Sequence, residues 1–308
     1  MKIGCGLPVS GTWATPQNIA SFGALAQELG YASLWTFQRL LVPEGSSLDP
    51  VYRSVLDPMA AMAFAAAVTS RIRLGVAVIN VPYISPAYLA KQAATVDILS
   101  AGRLDLGLGL GWMPEEFIAT GGSTERRGAR AQEYVQVLHA LWGPQPSEFS
   151  GEFYSVPRGS TRPRPVQPGG PPILLGGVAP RALRRVGEIA DGWVTASTAD
   201  LSKIRESIDI VRSAAAAAGR DPEAIRIICR GVVRAGEPVT GSDGRLLLSG
   251  SYAQIGDDVS WLAENGVTEV FYDLNWDPMI GNPDADPVAA ADRARSLIEA
   301  LRPAGGAL

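Results

Sequence analysis

Short apolar runs alternate with helix-length segments along this chain, and the alternation repeats eight times. Residues 2–9, 33–37, 71–79, 103–110, 173–175, 192–196, 225–233 and 267–274 read as strands. Each is short, apolar or β-branched, and closed by turn-forming residues. Helical segments follow them: one from Pro16 stopped at Gly30, one opening at Asp57-Pro58, then 86–99, 125–142, 180–190, 201–218, 254–265 and 288–301. Asp57 followed by Pro58 is an N-cap with proline at the first helical position, a strong start signal. A hairpin is expected around Ser150-Gly151. Eight strands that each feed a helix predict an α/β fold, a closed (β/α)8 barrel with insertions. An open doubly wound sheet uses the same alternation but seldom needs eight units in one domain. The Pro/Gly-rich stretch 163–172 is where a linker would fit, yet strands resume after it at the same spacing. A single domain over 1–308 is expected.

Charge and cysteine usage narrow the function classes. Lys and Arg number 27 against 31 Asp and Glu, a net −4, so there is no basic excess for nucleic acid. The longest apolar run, 59–68, is well short of the ~18 residues a membrane span needs. Gly4, Gly6, Pro8 and Gly11 break any signal-peptide core, and a cytoplasmic location is expected. Cys5 and Cys229 lie inside strands and read as small core residues of a reduced compartment. The one histidine, His139, falls mid-helix as a packed or surface residue. No thiolate–imidazole metal site and no His-based triad is expected.

A barrel places its chemistry at the C-terminal ends of its strands. Those ends fall at 10–12, 37–39, 77–80, 109–112, 176–178, 196–198, 230–234 and 273–276. This rim is rich in small residues, amides, hydroxyls and aromatics, with few carboxylates, which suits a flat cofactor held by backbone groups. Asp273 has no obvious carboxylate partner, so paired-carboxylate hydrolysis fits poorly. Gly107-Leu108-Gly109-Leu110-Gly111 misses the dinucleotide spacing. Its glycines point instead to close backbone approach, by a ligand or a neighbouring strand. Leu175-Gly176-Gly177 ahead of the helix at Pro180 is either an anion cradle or a tight turn.

The motifs in combination resemble one family. Gly107 to Phe117 (Gly-Leu-Gly-Leu-Gly-Trp-Met-Pro-Glu-Glu-Phe) and Glu125-Arg126-Arg127-Gly128 are similar to the bacterial luciferase-like superfamily of flavin and deazaflavin oxidoreductases. So are Ser70-Arg71-Ile72-Arg73-Leu74-Gly75, Ser100-Ala101-Gly102-Arg103-Leu104, Gly176-Gly177 and Ala190-Asp191-Gly192-Trp193, in order over residues 2 to about 275. The style is most like the branch that uses coenzyme F420. The resemblance implies an isoalloxazine-type ring over the strand ends and hydride passing between the deazaflavin and a substrate. It also implies a non-prolyl cis peptide in a bulge backing the ring, here Ala77–Val78. By the same carry-over, Gly109, Gly111 and Trp112 approach ring and tail. Gly176 and Gly177 face the ribityl-phosphate side, and Ala196 and Ser197 lie near cofactor or substrate.

Departures from the family shape the expected chemistry. Sugar-phosphate dehydrogenases of this family carry an Asp-His pair after the second strand, where this chain has Gln38 and Arg39. They carry a Glu where this chain has Trp112. Gln38 can hydrogen-bond a ring carbonyl. Arg39 either stabilises a negative ring or substrate anion, or is a surface residue of the second loop. Tyr83 is a candidate proton donor, and Trp13 and Trp112 candidate walls of an apolar pocket. Trp142 and Trp261 read as packing. Arg126, Arg127 and Arg130 read as either a phosphate site or a solvated face.

The expected function is F420-dependent hydride transfer to or from a small organic substrate, with an activated C=C or carbonyl as acceptor. The alternatives are an FMN-dependent two-component monooxygenase fed by a separate reductase, and a non-catalytic flavin-binding protein. A homodimer is expected by resemblance. The pocket should be built by loops 38–56, 112–124 and 234–252.

Overall fold

The computed structural model describes residues 1–241 and 244–303. Eight parallel strands close into a barrel: β1 (Lys2–Gly6), β2 (Ser33–Thr36), β3 (Arg73–Asn80), β4 (Leu104–Gly109), β5 (Ile173–Gly176), β6 (Gly192–Val194), β7 (Arg226–Gly231) and β8 (Glu269–Tyr272). Each pairs with its sequence neighbour, and β8 returns to β1 with Lys2 opposite Glu269. Nine helices surround it among the described residues: α1 (Pro16–Glu28), α2 (Pro58–Val68), α3 (Pro86–Leu99), α4 (Pro114–Thr120), α5 (Arg127–Trp142), α6 (Pro180–Ile189), α7 (Ile204–Ala217), α8 (Tyr252–Glu264) and α9 (Pro287–Ala300). No helix among the described residues is long and apolar enough to cross a membrane.

Local chemistry explains where helices begin. Thr15, Asp57, Ser85 and Asp286 each stand before a proline and accept a first-turn N–H, as from Asp57 to the Ala60 amide at 2.8 Å. Strands end sooner than the apolar runs suggest, because the rim residues bend out to meet other loops. β1 stops at Gly6, and beyond it the amides of Val9 and Ser10 both donate to Asn275 Oδ1 at 3.3 Å. The hairpin forms from Ser147–Ser150 and Ser155–Gly159. The Pro/Gly-rich stretch is tied down by Asp97 of α3, which accepts the amides of Val166 (2.7 Å) and Gln167 (3.0 Å). Helix α4 was not expected, and α5 starts at Arg127 rather than 125.

The barrel interior is layered. At the N-terminal end of the strands Asp105 is gripped by Arg73 and Arg226, each at 2.7 Å, and Arg226 also reaches Glu269 at 3.2 Å. Ser33 and the Trp35 indole donate to the same Glu269. Above that layer Trp35 stacks on Phe271, centroids 5.0 Å apart, among Leu174, Val194 and Ile228. Gly75 has no Cβ because the Trp35 ring occupies that space. Cys5 and Cys229 are buried, and burial pushes the Cys229 thiol up to about 12, so neither is a nucleophile. His139 is exposed, and Trp142 is core, its indole donating to Ala90 O at 3.1 Å.

Candidate active site at the barrel mouth

The upper layer is organised by β3. Its register against β4 shifts between Val76 and Ile79, and inside that shift the Ala77–Val78 peptide is cis. The Ala77 carbonyl accepts from Arg230 Nη1 at 3.2 Å. Arg230, from β7, is itself held by Asp273 after β8, with Nε and Nη2 at 2.7 and 2.6 Å from one carboxylate oxygen. Its guanidinium lies over Phe37 (4.9 Å) and Trp276 (5.5 Å). The Val78 side chain stands at the mouth between the glycines of β4 and β5. A Cβ on Gly109 would strike Val78 and lie 2.9 Å from Asn80 Oδ1, whereas one on Gly176 would meet Val78 at an ordinary 3.5 Å. The open choice for the Gly-rich strand thus resolves toward a neighbouring strand: Gly107 and Gly109 make room for the β3 bulge.

A tight strand-to-helix turn adjoins this floor. Gly176 and Gly177 lead into α6, whose N-cap, Ala179, has no capping side chain. Pro180 brings no N–H and the Ala182 amide already donates to Ala179 O at 2.8 Å, which leaves the Arg181 amide of the first turn for a ligand. Arg185, one turn further, packs against Gly128 at the start of α5 and forms no ion pair among the described residues. Burial lowers its pKa against the opposing charge of Glu188, with the neighbouring Arg181 adding to the lowering. Ala196 and Ser197 are half-buried at the end of β6. Gly109, Gly176, Ala182 and Arg185 line one small cavity, and glycine backbone beside an arginine without an ion pair fits the phosphate tail of a ring cofactor.

A second cluster covers the opposite side. Gln38 Oε1 accepts the Asn80 amide at 2.8 Å, and Asn80 Oδ1 accepts the Gly111 amide at 3.0 Å. Arg39 is buried, which overturns its reading as a surface residue. It sits between the rings of Tyr52 (4.5 Å) and Trp112 (4.6 Å), with Nη1 3.0 Å from Glu116 of α4. Tyr83 puts its hydroxyl against Gly111, where a Cβ would be 2.6 Å away; that oxygen is buried without a hydrogen-bond partner. Burial, and then the negative charge of Glu116, raise the Tyr83 pKa above its ordinary value. The phenol therefore stays neutral.

Other expected residues lie elsewhere. Trp13 is fully buried on Phe22, centroids 5.4 Å apart, and packs core rather than a pocket wall. Trp261 is half-buried against the core. Arg126 is an exposed partner of Glu152, while Arg127 donates to Gly111 O at 2.8 Å and lines a 290 Å³ cleft with Arg130, Tyr83 and Ser123. A larger cleft of 490 Å³ opens between Val51, Arg234, Trp276 and Met279, using the loop after β8 as well as two of the three expected loops. Within the expected loop 234–252, Ser242 and Asp243 lie outside the described residues.

Tyr52 and Glu116 escaped sequence reasoning; Arg230 and Asp273 fall on the expected rim, but their pairing was not expected. Met113-Pro114-Glu115-Glu116 does carry a helix-start signature, proline with two acids in the first turn, and the two arginines of the otherwise apolar run 225–233, Arg226 and Arg230, are a further signal.

Comparison with known proteins agrees with this architecture. The family model described as luciferase-like monooxygenase matches residues 3–239. An uncharacterised protein of Mycobacterium tuberculosis (strain ATCC 25618 / H37Rv) is 30% identical over 295 residues, 92% of each chain. The FMNH2-dependent dimethylsulfone monooxygenase of Pseudomonas putida is 31% identical over 156 residues, 50% of this chain and 42% of that one. Among solved structures, the monooxygenase RslO1 from Streptomyces bottropensis superposes with TM-score 0.79 at 21% identity, covering 98% of both chains. The coenzyme F420-dependent tetrahydromethanopterin reductase from Methanopyrus kandleri gives TM-score 0.74 at 18% identity, with 97% of each covered.

Proposed function

This chain belongs to the luciferase-like monooxygenase family, and we propose that it is a coenzyme F420-dependent oxidoreductase acting on a small organic substrate with an activated C=C or carbonyl. The observation that supports the reading is the Val78 side chain between Gly109 and Gly176, with Arg185 lining the same small cavity as those two glycines. When bound, the deazaflavin supplies the hydride chemistry. The chain's own residues position and shield it. Ala77, Val78, Gly109 and Gly111 form the floor; Gly176, Gly177, Ala196 and Ser197, with Arg185, form the tail side. Gln38 has its carbonyl committed to Asn80, leaving its NH2 group for a ring carbonyl. Tyr83 offers a neutral O–H, and Trp112 walls the mouth.

A second reading, FMN with dioxygen and a separate reductase, is favoured by the 31% identity to the FMNH2-dependent enzyme. A cytoplasmic homodimer of single-domain chains is part of the proposal in either case. The deciding experiment is a fluorescence titration of the purified protein with F420 and with FMN. Binding of F420 at least tenfold tighter than FMN is expected. Preferential FMN binding with reductase-dependent oxygen consumption would move the protein to the second reading, and binding of neither would overturn both.

A further inference from the structure

Among the described residues, every buried or half-buried arginine has a side-chain hydrogen bond or an ion pair, with two exceptions. One is Arg185, beside the small cavity of Gly109 and Gly176. The other is Arg234, half-buried after β7, which lines the 490 Å³ cleft. Its backbone is fixed: Arg234–Ala235 pairs with Ser249–Gly250, and the Arg234 amide donates to Leu248 O at 3.0 Å. The second cation of the lining, Arg293, is spent on structure, 2.7 Å from Asp277 and donating to Ala235 O at 3.2 Å. The acids of the lining leave Arg234 alone. Asp277 is committed to Arg293 and to the Met279 amide, and Asp49 accepts the Val51 amide at 3.0 Å. Glu237 is exposed and forms no ion pair among the described residues. A cation held half out of water without a partner carries a desolvation cost that a bound anion offsets.

The rest of the lining describes the body of the ligand. Pro50, Val51, Trp276 and Met279 line the same cleft, and Met279 is 59% exposed although apolar. An exposed thioether beside an indole adapts to apolar bodies of varied shape. The volume of 490 Å³ falls within the range of about 300–1,000 Å³ usual for small-molecule sites. Trp276 joins the cleft to the barrel mouth, its ring centre 5.5 Å from the Arg230 guanidinium that holds the Ala77 carbonyl. None of the floor residues Val78, Gly109 and Gly176 lines the cleft, so a ligand there leaves the floor free. We propose that the cleft is a substrate site in which Arg234 binds an acidic group, so that the substrate class is an acid with an apolar body. A guanidinium takes a carboxylate or a phosphate ester alike, and the experiment separates the two. The proposal rests on the reading of the barrel mouth as the seat of the cofactor.

The test uses naphthoate and naphthyl phosphate as acidic probes, with naphthylmethanol as their uncharged counterpart. Binding is followed by calorimetry on the full chain, with and without saturating F420 or FMN. At least one acid should bind saturably, and the alcohol about tenfold or more weakly. The tighter acid identifies the group that Arg234 takes. Arg234→Gln should weaken that acid about tenfold or more and leave the alcohol unchanged. The Arg234 side chain has no partner to lose, so the urea midpoint of the variant should stay at the wild-type value. Met279→Ala should weaken acid and alcohol alike, which places the probe in this cleft. Absent acid binding, equal binding of acids and alcohol, or unchanged acid affinity in either variant would overturn the proposal. So would displacement of the acid by cofactor, which would put the probe on the cofactor seat. If neither cofactor binds while the acid follows the Arg234 pattern, the cofactor reading fails and the acid site stands.

Discussion

Arg230 donates from Nη1 to the carbonyl of Ala77, 3.2 Å away and 153 positions earlier in the chain. One side chain of β7 thereby holds the backbone of β3 at the point where the floor of the mouth is made. Its Nε donates to Asp273, which also lies 2.6 Å from Nη2 as an ion pair, so a single buried cation ties β3 and β7 to the segment that follows β8.

Arg230→Met should therefore act on both stability and binding. It leaves Asp273, 2% exposed, as a buried charge without its partner, a defect that costs about 3–5 kcal/mol. Urea unfolding should show that loss, and the double variant with Asp273→Asn should recover part of it.

Gly109 tests the floor by volume. Gly109→Ala would push a methyl group into Val78, and overpacking of this kind costs about 1–3 kcal/mol. Cofactor affinity should fall at least tenfold in the titration. Val78→Ala in the same chain removes the colliding methyl groups and should restore part of the stability, since the contact with Asn80 Oδ1 remains, though not the floor itself.

The layer at the other end of the barrel should respond to acid. Burial alone would raise the Asp105 carboxyl, but hydrogen bonds and charge from Arg73 and Arg226 outweigh it and hold the pKa below the usual range. A folded-state pKa below the unfolded value of about 3.9 means the contribution is fully present above that pH, and is lost as pH falls through the folded value. Asp105→Asn should cost about 2–3 kcal/mol at neutral pH. That is below the usual figure for a broken buried pair, because Arg73 and Arg226 remain 28% and 25% exposed. The gap between variant and wild type, read from urea midpoints, should narrow only below about pH 4.

Tyr83→Phe separates chemistry from packing. The hydroxyl has no partner to lose, so stability should change by less than about 1 kcal/mol. If the phenol donates in turnover, kcat should fall by about 10²-fold or more. Its raised pKa places no ionisation of Tyr83 in the neutral range, so the variant should leave the shape of the pH–rate profile between pH 6 and 9 unchanged.

Much of the architecture was legible because its determinants are local. Asp57-Pro58 and Ser85-Pro86 start helices through contacts spanning three residues, and the runs between turn residues mark the strands wherever they pair. Strand ends were overread at residues 7–9 and 232–233, where apolar residues continue but leave the sheet for the rim. Helix α4 has only seven residues, too few for periodicity to reveal. At the mouth, the glycines and Ala77–Val78 were legible through family motifs. The polar pairs were not. Arg39 meets the carboxylate of Glu116, 77 positions on, and Arg230 meets Asp273 across 43. Nothing in a linear reading couples such residues.

The charged layer around Asp105 and the packed rings of Trp35 and Phe271 above it close the barrel at one end. That plug turns the barrel from a tube into a cup: a molecule resting against Val78 has no passage out between the strands at their N-terminal end.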